Sequence, residues 1–173
     1  LSVKDYWGAH DDAEKAITLD PTDTQALYFR SAAHNLIGEY SEAVNDATRG
    51  LALTPRDSAL RDVRAWAYNR MGRVHEAIAD AQHAIEIDPR DAYAFANRAY
   101  ANEQRGDFTA MAEDYRAAAK INPLFEPAYR DAARRHGLDP RPLSREKGAV
   151  SVVERVPAKV RSSAAVLFSS LFG

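Results

Sequence analysis

Arginine recurs at Arg30, Arg64 and Arg98, and aspartate recurs at Asp46, Asp80 and Asp114 with the same interval and at a constant offset after each arginine. A guanidinium presents a planar fork of donors that a carboxylate accepts in two parallel hydrogen bonds, so the chemistry open to this set is bidentate ion pairing. Such pairs fix geometry and carry no reaction. Signatures that would carry one are missing: there is no glycine-rich phosphate loop, no HExxH, no GxSxG and no cysteine at all. The histidines, His10, His34, His75, His83 and His136, do not recur at ligand spacing. His10 with Asp11 and Asp12 is the one compact cluster that could attract a metal, and an ordinary helix surface explains it more simply. No carboxylate pair is set apart for acid/base work. The expectation is a protein with no catalytic residues, no metal and no cofactor.

The elements that must position the charged set announce themselves by the same period. Pro21, Pro55, Pro89 and Pro123 share that interval and are preceded by AITLDP, GLALTP, AIEIDP and AAKINP. Gly38, Gly72 and Gly106 fall in register, each followed two positions later by Tyr40, Val74 or Phe108, and then by Ala43, Ala77 or Met111. Small residues recur at Gly50, Ala84 and Ala118. Glycine ends a helix and re-aims the chain, and proline cannot continue one, so each unit reads as helix, turn, helix, stop. In the second helix of one unit Ala77, Ile78, Ala81, Ala84, Ile85 and Ile87 keep one face apolar. One hairpin cannot bury that face alone, whereas a stack of about three or more can.

Composition agrees with such a stack and excludes several other classes. The 173 residues are 46% hydrophobic and 28% charged with a net charge of -2, which gives no basic surface for nucleic acid. No stretch approaches the roughly 20 apolar residues that span a bilayer. Cytoplasm is the default expectation. Because the chain starts at Leu1 rather than methionine, a leader or a further domain ahead of it is also expected to be missing.

The 34-residue period and the helix-turn-helix unit resemble the tetratricopeptide repeat family. The resemblance implies an all-α fold, a right-handed superhelical stack of antiparallel helix pairs, over residues 1–137. Within it, residues 5–21 resemble the second helix of a partial unit, residues 24–55, 58–89 and 92–123 are full units, and residues 126–137 a closing helix. Two positions depart from the pattern: Arg61 stands where a bulky residue is common, and Met111 replaces the usual alanine. In this family's hairpin the recurring arginine and aspartate lie on facing sides, which implies the pairs Arg30–Asp46, Arg64–Asp80 and Arg98–Asp114. They would fix helix register more than add net stability. Asp12 takes the matching place in the partial unit.

The family also lines a concave groove with its first helices, and that groove takes an extended or helical peptide. Carried over by position, the groove here is Tyr28, Phe29, Asp62, Trp66, Asn69, Tyr93, Asn97 and Tyr100, with Gln25, Ala32, Val63, Ala96 and Glu103 beside them and Arg130 and Arg134 from the closing helix. Aromatic residues give contact area at small entropic cost, so the expected partner is a partly apolar protein segment or peptide. Trp66 is expected to be a binding anchor whose loss costs the partner about 2 kcal/mol or more and the fold less. Where some members hold a C-terminal carboxylate, this chain has Tyr28, Ala32 and Val63, and only Asn97 matches.

Beyond Gly137 the period stops. Residues 138–156 read as a connector and residues 157–173 as an amphipathic tail helix, with Val160, Leu167, Phe168 and Leu171 on one face. Burying each such large side chain is worth roughly 1.5–3 kcal/mol, so the stripe should be covered. The candidates are the chain's own groove, a second copy, which would make a homo-oligomer, another protein, or a membrane surface. Only Lys159 and Arg161 flank the helix, which disfavours the membrane. The functional expectation is a protein-interaction scaffold or adaptor. Its alternative is a regulatory or targeting module of a larger enzyme or secretion component.

Overall fold

The computed structural model describes residues 3–139. The tail expectations at Val160, Leu167, Phe168 and Leu171, and the connector from residue 140 onward, lie outside the described residues. The described residues form eight α-helices and no strand: α1 (Val3–Leu19), α2 (Thr24–Ile37), α3 (Tyr40–Leu53), α4 (Ser58–Arg70), α5 (Val74–Ile87), α6 (Ala92–Arg105), α7 (Phe108–Ile121) and α8 (Glu126–Arg135), with one 3₁₀ turn, Pro123–Phe125, ahead of α8. Each helix packs against the next in sequence, and α2, α4 and α6 also touch one another in turn, which gives a superhelical stack of hairpins.

Local chemistry sets the boundaries. Asp23, Asp57 and Asp91 cap α2, α4 and α6, their carboxylates accepting from the amides of Ala26, Leu60, and Tyr93 with Ala94. At the turn inside each hairpin Gly38, Gly72 and Gly106 have φ of 87, 72 and 82°, a region that a side chain disfavours. The turn is closed by the amides of Glu39, Arg73 and Asp107, which donate to His34, Tyr68 and Asn102 carbonyls at 2.8, 2.9 and 2.9 Å. At the far end of each hairpin the last helical bond is made by the amide of Thr54, Asp88 or Asn122, each 2.8 Å from the carbonyl one helical turn back. The proline follows one residue later, where no amide is needed.

Small side chains let the helices approach. Ala43, Ala47, Ala77, Ala81, Ala84 and Ala118 are fully buried. At Gly50 a Cβ would lie 2.7 Å from Leu60 Cδ1, so an alanine there would make the Leu60 side chain shift where α3 meets α4. Met111, the departure from alanine, is fully buried among Tyr115, Phe125, Tyr129 and Ala132, which makes the C-terminal end the bulkiest part of the core.

Candidate functional site

Each hairpin is bridged by one guanidinium on one carboxylate. Arg30 donates to Asp46 through Nε and Nη2, both at 2.7 Å. Arg64 does the same to Asp80 at 2.6 and 2.8 Å, and Arg98 to Asp114 at 2.9 and 2.7 Å. The aspartates are buried and the arginines are half-buried. The bonds to Asp46 and Asp80 hold the Arg30 and Arg64 guanidiniums above the ordinary arginine range, against the opposing effect of burial. The third donor of the arginine reaches the preceding unit: Arg64 Nη1 to Thr48 Oγ1 at 3.0 Å, and Arg98 Nη1 to Gln82 Oε1. In the second unit Arg61 joins the bridge, donating to Asp80 at 3.3 Å and to the Pro55 carbonyl at 2.9 Å. His34 is buried beside Asp46, with Nδ1 2.8 Å from Glu39 and its ring edge-on to His10.

The first-helix stripe is built differently in each unit. Phe29 is 50% exposed, and Tyr28 stands edge-on to it at 5.3 Å while packing on Ala32, Leu51, Leu60 and Val63. Tyr93 is half-buried, edge-on to Phe125 at 5.4 Å, and Tyr100 is half-buried. Arg130 is exposed and paired with Glu126 at 2.6 Å, and Arg134 is exposed. Trp66 corrects an expectation. It is only 9% exposed, so its ring is part of the core rather than an open anchor, and its Nε1 is buried without a hydrogen-bond partner. Asn69 is likewise buried, at 4%.

Adjacent first helices are tied by side-chain amides. Asn35 Nδ2 donates to the Val63 carbonyl at 2.8 Å and Asn69 Nδ2 to the Asn97 carbonyl at 2.9 Å, so two asparagines one repeat apart make the same bond. Asn97 Nδ2 donates back to the Asp62 carbonyl at 3.2 Å. The Oδ1 atoms of Asn35 and Asn69 are buried and unbonded. Asn35 was not singled out by sequence reasoning, although its recurrence at Asn69 is visible there, and the same holds for the capping aspartates.

Asp62 is the electrostatic oddity of the stripe. The residue is partly exposed, yet its Oδ1 is buried without a partner. Burial, and then the neighbouring Asp91 carboxylate, push its carboxyl well above the usual range. Burial, reinforced by the charge of Asp62, also raises the Tyr28 hydroxyl, and burial pushes Tyr93 up to about 12. This part of the stripe is therefore acidic and poorly hydrated, and a further carboxylate would be unfavourable beside it. No group of three or more His, Cys, Asp or Glu side chains placed to hold a metal, and no helix long and apolar enough to cross a membrane, occurs among the described residues.

The tetratricopeptide repeat family model matches residues 62–91 and 92–123. No curated protein gives a significant sequence match. Among solved structures the chain is similar to a thermophilic TPR protein of Thermus thermophilus, with 20% identity and a TM-score of 0.72 over 94% of this chain and 91% of that one. MamA is similar at 22% identity and a TM-score of 0.66, covering 78% and 81%. The first TPR of Spaghetti (RPAP3), bound to an HSP90 peptide, is similar at 21% identity and a TM-score of 0.61, covering 68% and 96%. A repeat closed by the same proline and glycine in every unit, a family match on two consecutive units and a shared helix stack lead to one conclusion: residues 62–123 are tetratricopeptide repeats, set in a stack that has the fold of TPR proteins.

Proposed function

We propose that the chain is a non-catalytic interaction scaffold whose first helices form a groove for a partly apolar segment of another polypeptide. The observation that carries this reading is the open aromatic edge of the stripe, where Phe29 is half exposed next to Tyr28, with Tyr93 and Tyr100 on a later first helix. Exposed aromatics on the first helices are what a peptide with apolar side chains would cover. Support comes from the peptide-bound relative, whose fold this chain shares. The occupant differs in chemistry from a chain-terminal carboxylate: Asn97 already commits its amide to the Asp62 carbonyl, and a third carboxyl group would be unfavourable beside Asp62 and Asp91.

Selection of short peptides from a displayed library on the full chain tests the reading. The selected peptides should be enriched in apolar and basic residues, and Phe29→Ala should weaken them by about 2 kcal/mol in titration without lowering thermal stability. Retained affinity in Phe29→Ala, or selection of acidic C-terminal ends, would overturn it.

A further inference from the structure

The array ends in a way that differs from how it repeats. The second helix of a unit presents a side chain that the next first helix meets with its arginine, Thr48 to Arg64 and Gln82 to Arg98. The corresponding residue of α7 is Arg116, and the residue that should meet it is Ala132. Arg116 Nε is buried and has no hydrogen-bond partner. The closing helix α8 also stops after 10 residues, against 14 in α2 and α6. What results is a cleft of about 300 Å³ between α7 and α8, lined by Ala112, Glu113, Arg116, Tyr129, Leu138 and Asp139 among others.

The chain leaves the described array at this cleft. The amide of Leu138 donates to the Ala133 carbonyl at 2.8 Å past Gly137 at φ 68°, the same closure that turns each first helix into its second. A further second helix would start here, but the next residues do not have its pattern. Counted from the turn glycine, the place of Ala43, Ala77 and Met111 falls to Pro142, and that of Asp46, Asp80 and Asp114 to Arg145. Further on, residues 157–172 do have a helical apolar stripe, Val160, Ala164, Leu167, Phe168 and Leu171. Its length is comparable with the 14 residues of α3, α5 and α7.

We infer that residues 157–172 dock in cis as the missing second helix, laying Leu167, Phe168 and Leu171 into the cleft between α7 and α8. Charge favours the match. Residues 140–173 hold six Lys/Arg and two Asp/Glu, net +4, which leaves -6 of the total of -2 for residues 1–139. Lys159 and Arg161 come to a cleft edged by Glu113 and Asp139, and the hydroxyls of Ser163 and Ser170, which border the apolar stripe, are acceptors for Arg116. The segment 140–156 reaches roughly 55 Å when extended, ample for a return to the point of exit. The inference does not rest on the groove: it covers the end of the stack and leaves the first-helix stripe free for a partner.

Hydrogen–deuterium exchange on the full chain, with Leu167→Asp/Phe168→Asp as the variant, is the test. The variant should speed exchange about tenfold in peptides covering residues 109–116 and 129–139, leave α2–α4 unchanged and keep the same monomeric mass. Ala112→Glu, placed in the cleft, should in turn expose residues 157–172 to protease. Unchanged exchange at α7 and α8 would overturn the inference. So would faster exchange along α2 and α4, which would put the tail in the groove, or a wild-type dimer that the variant splits, which would put it on a second copy. Loss in the variant of co-sedimentation with anionic phospholipid vesicles, with α7 and α8 unaffected, would give the stripe to a membrane. Affinity for the selected peptides is read separately and stays unchanged in the tail variant if both readings hold.

Discussion

The two sides of each hairpin follow opposite rules. Between the helices every unit makes the same bidentate bridge, with heavy-atom distances of 2.6–2.9 Å and a buried aspartate. On the first-helix stripe the aromatic residues differ from unit to unit, and buried atoms of Asp62, Trp66, Asn35 and Asn69 are left unbonded. Repetition on one side fixes the geometry of the stack, and that leaves the other side free to vary without endangering the fold. The contrast can be tested by substitution on each side.

The largest effect should come from the bridge. Asp114→Ala leaves the Arg98 guanidinium half-buried without its carboxylate and strips Asn102 Nδ2 of its acceptor, so it should cost about 3–5 kcal/mol in urea unfolding. Trp66 tells which side its ring belongs to: Trp66→Ala should cost about 3–5 kcal/mol as a core truncation, whereas Trp66→Phe, which removes the unbonded donor together with part of the ring volume, should cost clearly less. A full loss of peptide affinity in Trp66→Phe at unchanged stability would return Trp66 to the binding side.

On the stripe the sign reverses. The folded carboxyl of Asp62 titrates above its ordinary value of 3.8, so the folded state holds a proton that the unfolded chain has already released. The stability this contributes is fully present below that value and is lost as pH rises through the raised one. Asp62→Asn should therefore be more stable than the wild type at pH 8, and the two should converge in acid. A gap independent of pH would show that Asp62 is ionised in the folded chain. The smallest effect is expected at a cap: Asp57→Ala should cost about 1 kcal/mol and loosen the start of α4.

The period of the stack was open to reading because it rests on backbone punctuation. Proline and glycine act through their own φ and amide, whatever surrounds them, so Pro55 and Gly72 mark the same boundaries in the sequence and in the structure. The bridging arginines and aspartates showed themselves by recurrence at a fixed offset, and they meet within hydrogen-bond distance. Trp66 shows where such reading stops. Its place on the helix marks the face it emerges from, but whether the ring stands out or lies down depends on neighbours from other helices, and it lies down at 9% exposure. Asp62 and Asp91 lie on successive repeats and share no motif, so their proximity is a product of stacking alone.

The arginines of the bridge also have a mechanical consequence. Arg64 and Arg98 each fasten three helices, both members of their own hairpin and the second helix of the hairpin before. A neighbouring pair of units is thus riveted as well as packed, and a load applied to the middle of the array must shear charged bonds before it can part apolar surface. The rivet is absent between α7 and α8, where Ala132 stands in the arginine's place and Arg116 Nε is unbonded. Drawn out from its two ends, the array should peel from α8 inward, with the middle units giving way last.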